Sequence, residues 1–176
     1  MLFPIPVNQV INQKFVSYSL VKYRDWEFEV EILLTQQAYS NIPFGGADRC
    51  SCADCKNYVA NRETIFPEEL TQLFNELGID YRKEIEIWAI QRLENGLHQI
   101  SGWFHFKGKI ISGKDFRMPF ADGNGYSFDL TSITENFKIG FAPGNDLTFF
   151  ESKEGLIQIE FITNIQWVID KKDETF

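Results

Sequence analysis

The chain has 176 residues, of which 44% are hydrophobic and 15% aromatic, a composition typical of a folded globular protein rather than a disordered one. Its formal net charge of −8 argues against binding to duplex nucleic acid, because phosphate contacts need clustered lysine and arginine. An acidic surface instead suits a protein partner with a basic face.

The length predicts a single domain over residues 1–176. No apolar run approaches the roughly 20 residues that cross a bilayer, so we expect no membrane span. The N-terminal sequence MLFPIPVNQVINQK has two early prolines and no basic residue before its apolar ones, which is unlike a signal peptide. We therefore expect a cytoplasmic protein whose thiols are reduced.

Strand patterns dominate the chain. Residues 26–34, WEFEVEILL, alternate between apolar residues and glutamates, which predicts an antiparallel strand with one wet face. Two further alternating runs, 84–94 and 97–106, are separated by Asn95-Gly96, a strong hairpin signal. More short strands are predicted at 109–112, 125–130, 137–141, 147–151 and 156–169. Strands at this spacing favour an antiparallel β-sandwich or an open barrel.

Helical patterns fall between the first strand and the hairpin. Residues 50–62 have helical character, and residues 67–77 place leucine and phenylalanine at spacings of three and four before Gly78. The sequence therefore predicts an α+β, mainly β protein with a two-helix insertion near residues 50–78, or about 48–80 with its flanking loops.

All the cysteines of the chain lie where this insertion begins, in the stretch RCSCADCKNY. Cys50, Cys52 and Cys55 form a Cys-x-Cys-x-x-Cys pattern between a loop and a predicted helix. Thiolates at such a junction can converge on one metal ion, and the N–H groups of a helix N-terminus favour thiolate over thiol. Zinc is the expected metal, and a structural zinc site needs four ligands in a tetrahedral array.

The fourth zinc ligand is open on sequence grounds. The candidates are His98, His105, Asp48, Asp54 and water. Strand parity places the two histidines on opposite faces of the strand 97–106, unless a bulge at Gly102 shifts the register. We prefer His105 because its face is the more polar one, although an ordinary hydrogen-bonded histidine accounts for it as well.

The cysteine pattern does not require a metal. A structural zinc site usually has a second, distant pair of ligands, and this sequence has one cluster. Cys52 and Cys55 at a helix start could instead form a redox pair, but such pairs normally follow a strand of a parallel βαβ unit. Small cysteines can also simply pack a helix against a sheet. An iron–sulfur cluster would need a fourth cysteine or a histidine that the local pattern lacks.

The chain also resembles a family of uncharacterised bacterial proteins. The resemblance covers about residues 26–112 and rests on CSCADCKNY, IFPEELTQLFNELGID and GLHQISGWFHFKGKI. It implies no activity, because the family has none assigned. It does single out six positions, which are Cys50, Cys52, Cys55, Asn57, Trp103 and His105.

Three functions are compatible with these patterns. The leading one is a non-catalytic cytoplasmic binding protein that meets a basic protein partner, with a cysteine cluster that can hold structural zinc. The second is a zinc-dependent enzyme in which Cys50, Cys52 and Cys55, with or without His105, leave one metal position for water. The third is a thiol redox protein that uses Cys52 and Cys55.

Overall fold

The computed structural model describes residues 17–144 and 147–175. The N-terminal segment that is unlike a signal peptide lies outside these ranges. The helices are α1 (Ile32–Ser40), α2 (Gly46–Arg49), α3 (Ala53–Ile65) and α4 (Glu68–Leu77), with a 3-10 turn at Lys171–Asp173. The strands are β1 (Ser19–Tyr23), β2 (Trp26–Val30), β3 (Glu86–Arg92), β4 (His98–Ser112), β5 (Arg117–Pro119), β6 (Tyr126–Phe128), β7 (Thr131–Thr134), β8 (Phe137–Pro143) and β9 (Leu156–Ile165).

Seven of these strands form one antiparallel sheet. Its order is β1-β2-β4-β9-β8-β7, and β3 pairs with β4 on the same edge as β2. Strands β5 and β6 form a separate two-stranded ribbon. The predicted class, α+β and mainly β, is confirmed. None of the described helices is long and apolar enough to span a membrane.

The hairpin predicted around Asn95-Gly96 is confirmed. β3 and β4 flank this turn, where Gly96 has a φ of 83° and Leu97 N donates to the Asn95 side chain at 3.1 Å. A positive φ is easily adopted by glycine, which explains why this dipeptide ends one strand and starts the next. β4 then runs for 15 residues and forms the centre of the sheet.

The strand predicted over 26–34 is too long. Its alternation ends at Val30, and α1 begins at Ile32. The reason is tertiary: β2 and β3 leave a gap on one edge of β4, and two buried side chains of α1 fill it. Tyr39 Oη donates to His105 O at 3.0 Å and accepts from His105 N at 3.2 Å, while Thr35 Oγ1 accepts from Lys107 N at 3.0 Å.

The helical region is also larger than predicted, because four helices rather than two lie between β2 and β3. The end of α4 matches the prediction, since Gly78 caps the helix in the left-handed conformation with a φ of 78°. The strand predicted at 147–151 is not present in the described residues 147–151, which form bends and irregular structure.

The helices cover one face of the sheet. Phe66, at the end of α3, has its ring 5.4 Å from that of Phe74 in α4 and 5.6 Å from that of Phe161 in β9. Phe104 in β4 joins this aromatic core, with its ring 5.0 Å from that of Phe74. All four rings are buried, and full burial of one such side chain contributes roughly 1.5–3 kcal/mol. This packing fixes α3 and α4 against the sheet.

Candidate metal centre

The cysteines lie at the junction of two helices that are consecutive in the chain. α2 ends at Arg49, Cys50 follows in extended backbone, and Cys52 is the N-cap of α3. Cys52 Sγ accepts a hydrogen bond from Cys55 N at 3.4 Å, so a thiol does here what serine or aspartate does at most helix starts. This cap brings the loop cysteines over the first turn of α3, where Cys55 lies.

The three thiols converge. Cys50 Sγ and Cys52 Sγ are 3.2 Å apart, and all three sulfurs lie within 4.8 Å of one another. Every cysteine is a free thiol, since a disulfide would require about 2.05 Å between the sulfurs. Zinc–sulfur bonds of about 2.3 Å in a tetrahedron separate the sulfurs by about 3.8 Å. One pair of sulfurs is 3.2 Å apart and no pair is more than 4.8 Å apart, so the separations are compatible with a single zinc ion.

Exposure differs among the three thiols. Cys50 and Cys52 are exposed, whereas Cys55 is buried. A hydrogen bond from the Cys52 backbone lowers the pKa of the Cys50 thiol, and bonds from the neighbouring thiols lower it further. Burial raises the pKa of the Cys55 thiol. A bound metal ion would overcome this, because coordination deprotonates a thiol outright.

A buried carboxylate fixes α2, the helix that directly precedes Cys50. Glu84, which precedes β3, accepts a hydrogen bond from Ala47 N at 2.9 Å, and Gly46 N donates to Glu84 O at 2.8 Å. Glycine is required at 46 because a Cβ there would lie 2.3 Å from Ile85 O. Arg62 of α3 bonds to Glu84 at 3.3 Å, and burial still raises the pKa of this carboxyl group. These contacts fasten α2 and α3 to one another and to the sheet.

The structure does not bring the fourth predicted ligand, His105, to the cysteines. His105 lies in β4 opposite Gln158 of β9, and it alternates with Phe104, whose ring packs beneath the helices. Its side chain therefore points to the other face of the sheet. His105 is fully buried there, and burial lowers its pKa to about 4. His105 lies on the side of the strand that strand parity predicts, because β4 and β9 pair without a bulge at Gly102.

The other candidate ligands also have partners of their own. Asp48 receives two hydrogen bonds from Arg62, at 2.8 and 3.2 Å. Asp54 accepts a short hydrogen bond from the Thr175 hydroxyl. His98 is on the helix side of the sheet, with its Nε2 3.0 Å from Glu174 Oε1. None of these three side chains belongs to the group of converging thiols.

Asn57 connects the cysteine-bearing helix to the segment after β9. Its Nδ2 donates to Gln166 O at 3.0 Å, and its Oδ1 accepts from Val168 N at 2.8 Å. Asn57 is almost fully buried, so both bonds are protected from water. The resemblance had singled out this residue, but nothing in the sequence pattern indicated its role. The sequence pattern also gave no sign that the C-terminal segment reaches this region. Its Glu174 contacts His98, and its Thr175 contacts Asp54.

Four clefts on the described surface have volumes of about 500, 570, 380 and 320 Å³. The first lies between the end of α1 and residues 78–83, and the last lies between the end of α3 and β7–β9. No cysteine lines any of the four. The thiol cluster, with two exposed thiols, therefore lies outside these four clefts.

No family model matches this chain, and no curated protein or solved structure matches it either. The resemblance to a bacterial family therefore stays a prediction. What can be concluded about function comes from the geometry of the site.

Proposed function

We propose that the protein binds one zinc ion through Cys50, Cys52 and Cys55, and that the ion braces the junction of α2 and α3. The observation that supports this is the convergence of the sulfurs, all within 4.8 Å of one another and none in a disulfide. Thiolates in this arrangement are the ligands that zinc prefers in structural sites.

The brace would act on a junction that the rest of the fold already supports. α2 is held by Glu84, and α3 is held by its Asn57 contacts to residues 166–168. A metal ion would link the end of one helix to the first turn of the next, where the hydrogen bonds between thiols are weak. We expect zinc to stiffen this corner rather than to create the fold, because a chain of this size buries roughly 70% of its surface.

A non-catalytic role fits the position of the cluster, since two of its thiols are exposed and no cysteine lines any of the four clefts. Free thiols require a reducing compartment, and we propose the cytoplasm. The net charge of −8 supports a partner with a basic face.

Zinc content of the purified protein tests the metal site. We expect one zinc per chain in the native sequence and loss of zinc in Cys50→Ser, Cys52→Ser and Cys55→Ser, because each removes one of three thiolates. Ser51→Ala is the matched control, since Ser51 lies between two of the cysteines and is exposed. It should keep the full zinc content. A native protein that takes up no zinc after refolding with the metal would refute the proposal.

A further inference from the structure

The sequence offers few side chains that could complete a zinc site. It contains three cysteines and two histidines in total. All the cysteines are in the cluster, so a fourth ligand within the chain has to be a histidine or a carboxylate. Residues 1–16 contain no cysteine, histidine, aspartate or glutamate, and Asp146 is the one such residue among 145, 146 and 176. Apart from Asp146, every candidate side chain therefore lies in the part of the chain that the structure describes.

Neither histidine is available to the metal. His105 points to the face of the sheet away from the helices, and its backbone is fixed by two hydrogen bonds to Tyr39 Oη. His98 is almost fully buried, with its Nε2 3.0 Å from Glu174 and its ring 4.9 Å from that of Trp167. Moving either ring to the thiols would break buried contacts.

The two carboxylates nearest in sequence are committed as well. Asp48 holds the Arg62 guanidinium through both oxygens and also accepts from Gly45 N at 3.2 Å. Arg62 also bonds to the fully buried Glu84, so a shift of Asp48 would weaken the support of a buried charge. Asp54 is held by Thr175. No carboxylate belongs to the converging group in the part of the chain that is described.

We propose that a zinc ion on Cys50, Cys52 and Cys55 keeps its fourth coordination position for an exogenous thiolate supplied by a small molecule. This inference rests on the zinc site proposed above and names the ligand class of that site. Cys50 and Cys52 are exposed, so a small thiol can reach the ion from solvent.

A thiolate suits this position better than a harder donor. Three sulfur ligands already give the site soft character, and a fourth completes the all-sulfur tetrahedron that structural zinc commonly has. Zinc with four thiolates has a net charge of −2. Arg49 and Lys56 are exposed and adjacent in sequence to Cys50 and Cys55, and Asp54 opposes them, so an excess of one positive charge offsets part of it. Both flank the cluster in a chain that is acidic as a whole.

Zinc K-edge X-ray absorption on the full-length, zinc-loaded protein tests this directly. In a phosphine reductant without thiols, we expect three sulfur neighbours and one oxygen from water. On addition of 2-mercaptoethanol, the count of sulfur neighbours should rise from three to four, with saturation as the thiol is titrated. Imidazole at the same concentrations should leave most of the three-sulfur signal unchanged.

Three variants show whether a side chain of the chain occupies the position. His98→Gln, Asp48→Asn and Asp54→Asn should each give the native three-sulfur spectrum and the same response to thiol. A variant whose thiol titration saturates at a much lower concentration than that of the native protein would have lost a competing side chain, and this would overturn the open position. A count of four sulfur neighbours before thiol is added would also overturn the open position, because it would mean that a second copy of the chain supplies a cysteine. A three-sulfur spectrum that thiol does not change overturns the ligand class alone. Failure to bind zinc at all would instead overturn the proposed metal site, and this inference with it.

Discussion

Strand β4 has two buried faces that differ in kind. On the helix side, Phe104 and Phe106 are fully buried among aromatic side chains of α3, α4 and the sheet. On the other side, Ser101 and His105 are just as buried, but Gln158 of β9 lies opposite His105, and Ser101 Oγ donates a hydrogen bond to Glu160 of β9. One strand therefore contributes both to an apolar core and to a buried polar layer.

The polar face is organised around Glu160 of β9. This fully buried carboxyl group accepts from Ser101 Oγ at 2.7 Å and from Gln158 Nε2 at 2.8 Å. No described cation pairs with it, and burial raises its pKa to about 7, against the opposing effect of these two bonds. An apolar face contributes the same stability at every pH. A polar face contributes stability that depends on protonation, and the two can be separated by experiment.

The largest effect is expected from the apolar face. Phe104→Ala removes a ring that lies 5.0 Å from that of Phe74 and 5.8 Å from that of Phe161, and it leaves a cavity under the helices. We expect a loss of about 3–5 kcal/mol in the free energy of unfolding, measured by urea titration at pH 6 and again at pH 8. The loss should be equal at both values.

Phe120→Ala is the control for that experiment. Phe120 follows the β5 strand and is 51% exposed, so its removal should change the free energy of unfolding by less than about 0.5 kcal/mol. A loss at Phe104 that is no larger than the loss at Phe120 would mean that the aromatic core does not hold the helices.

The next effect is expected at Glu160 and should depend on pH. Its pKa rises from 4.5 in the unfolded chain to about 7 in the folded one, so folding favours the protonated form. The stability it supports is complete below pH 4.5 and is lost as the pH rises through 7. From pH 4.5 to pH 8 the native protein should lose about 3 kcal/mol through this group.

Glu160→Gln mimics the protonated carboxyl group and should remove that loss. Urea titrations at several pH values should show the free energy of unfolding of the variant rising relative to that of the native protein between pH 5 and pH 8. Parallel profiles for the native and variant proteins would show that Glu160 is already ionised and that the polar layer does not control stability.

The two faces of β4 also differ in how much of them the sequence could predict. Alternation and the Asn95-Gly96 turn were sufficient to predict the β3–β4 hairpin and the face on which each histidine lies. The alternation showed that His105 is on the more polar face. It could not show that this face is buried, because the covering residues are distant in the chain. Phe116, which would touch a Cβ placed on Gly140 at 2.5 Å, is one of them.

The candidate site was predictable to the same extent. The spacing of Cys50, Cys52 and Cys55 was sufficient to bring three thiols together, because a helix start fixes local geometry. The fourth ligand depends on which elements pack against α3, and no local pattern contains that information. The same applies at Ile32, where the alternating pattern favoured a strand but the gap on β4 favoured a helix.

His105 should give a smaller effect of opposite sign. Burial lowers its pKa from 6.5 to about 4, so the folded state disfavours the charged imidazole. Through this group, stability is therefore lost as the pH falls below 6.5, by about 2 kcal/mol at pH 5. His105→Gln cannot titrate, so its free energy of unfolding should rise relative to that of the native protein by about 1.5 kcal/mol between pH 6.5 and pH 5. A constant difference between the two proteins over this range would mean that His105 does not titrate with a lowered pKa.

The smallest effect is expected at the edge of β4, in the gap between β2 and β3 that α1 fills. Tyr39→Phe removes a hydroxyl that bonds both to His105 N and to His105 O, which leaves two buried backbone groups of β4 without this partner. We expect a loss of roughly 1–2 kcal/mol in the free energy of unfolding, near the cost of an unsatisfied buried group. Tyr81→Phe is the matched control, since the Tyr81 hydroxyl bonds to the exposed Glu63 at 2.9 Å and its loss should cost less than about 0.5 kcal/mol. Equal losses would mean that water replaces Tyr39 at the gap and that α1 does not close the edge of β4 there.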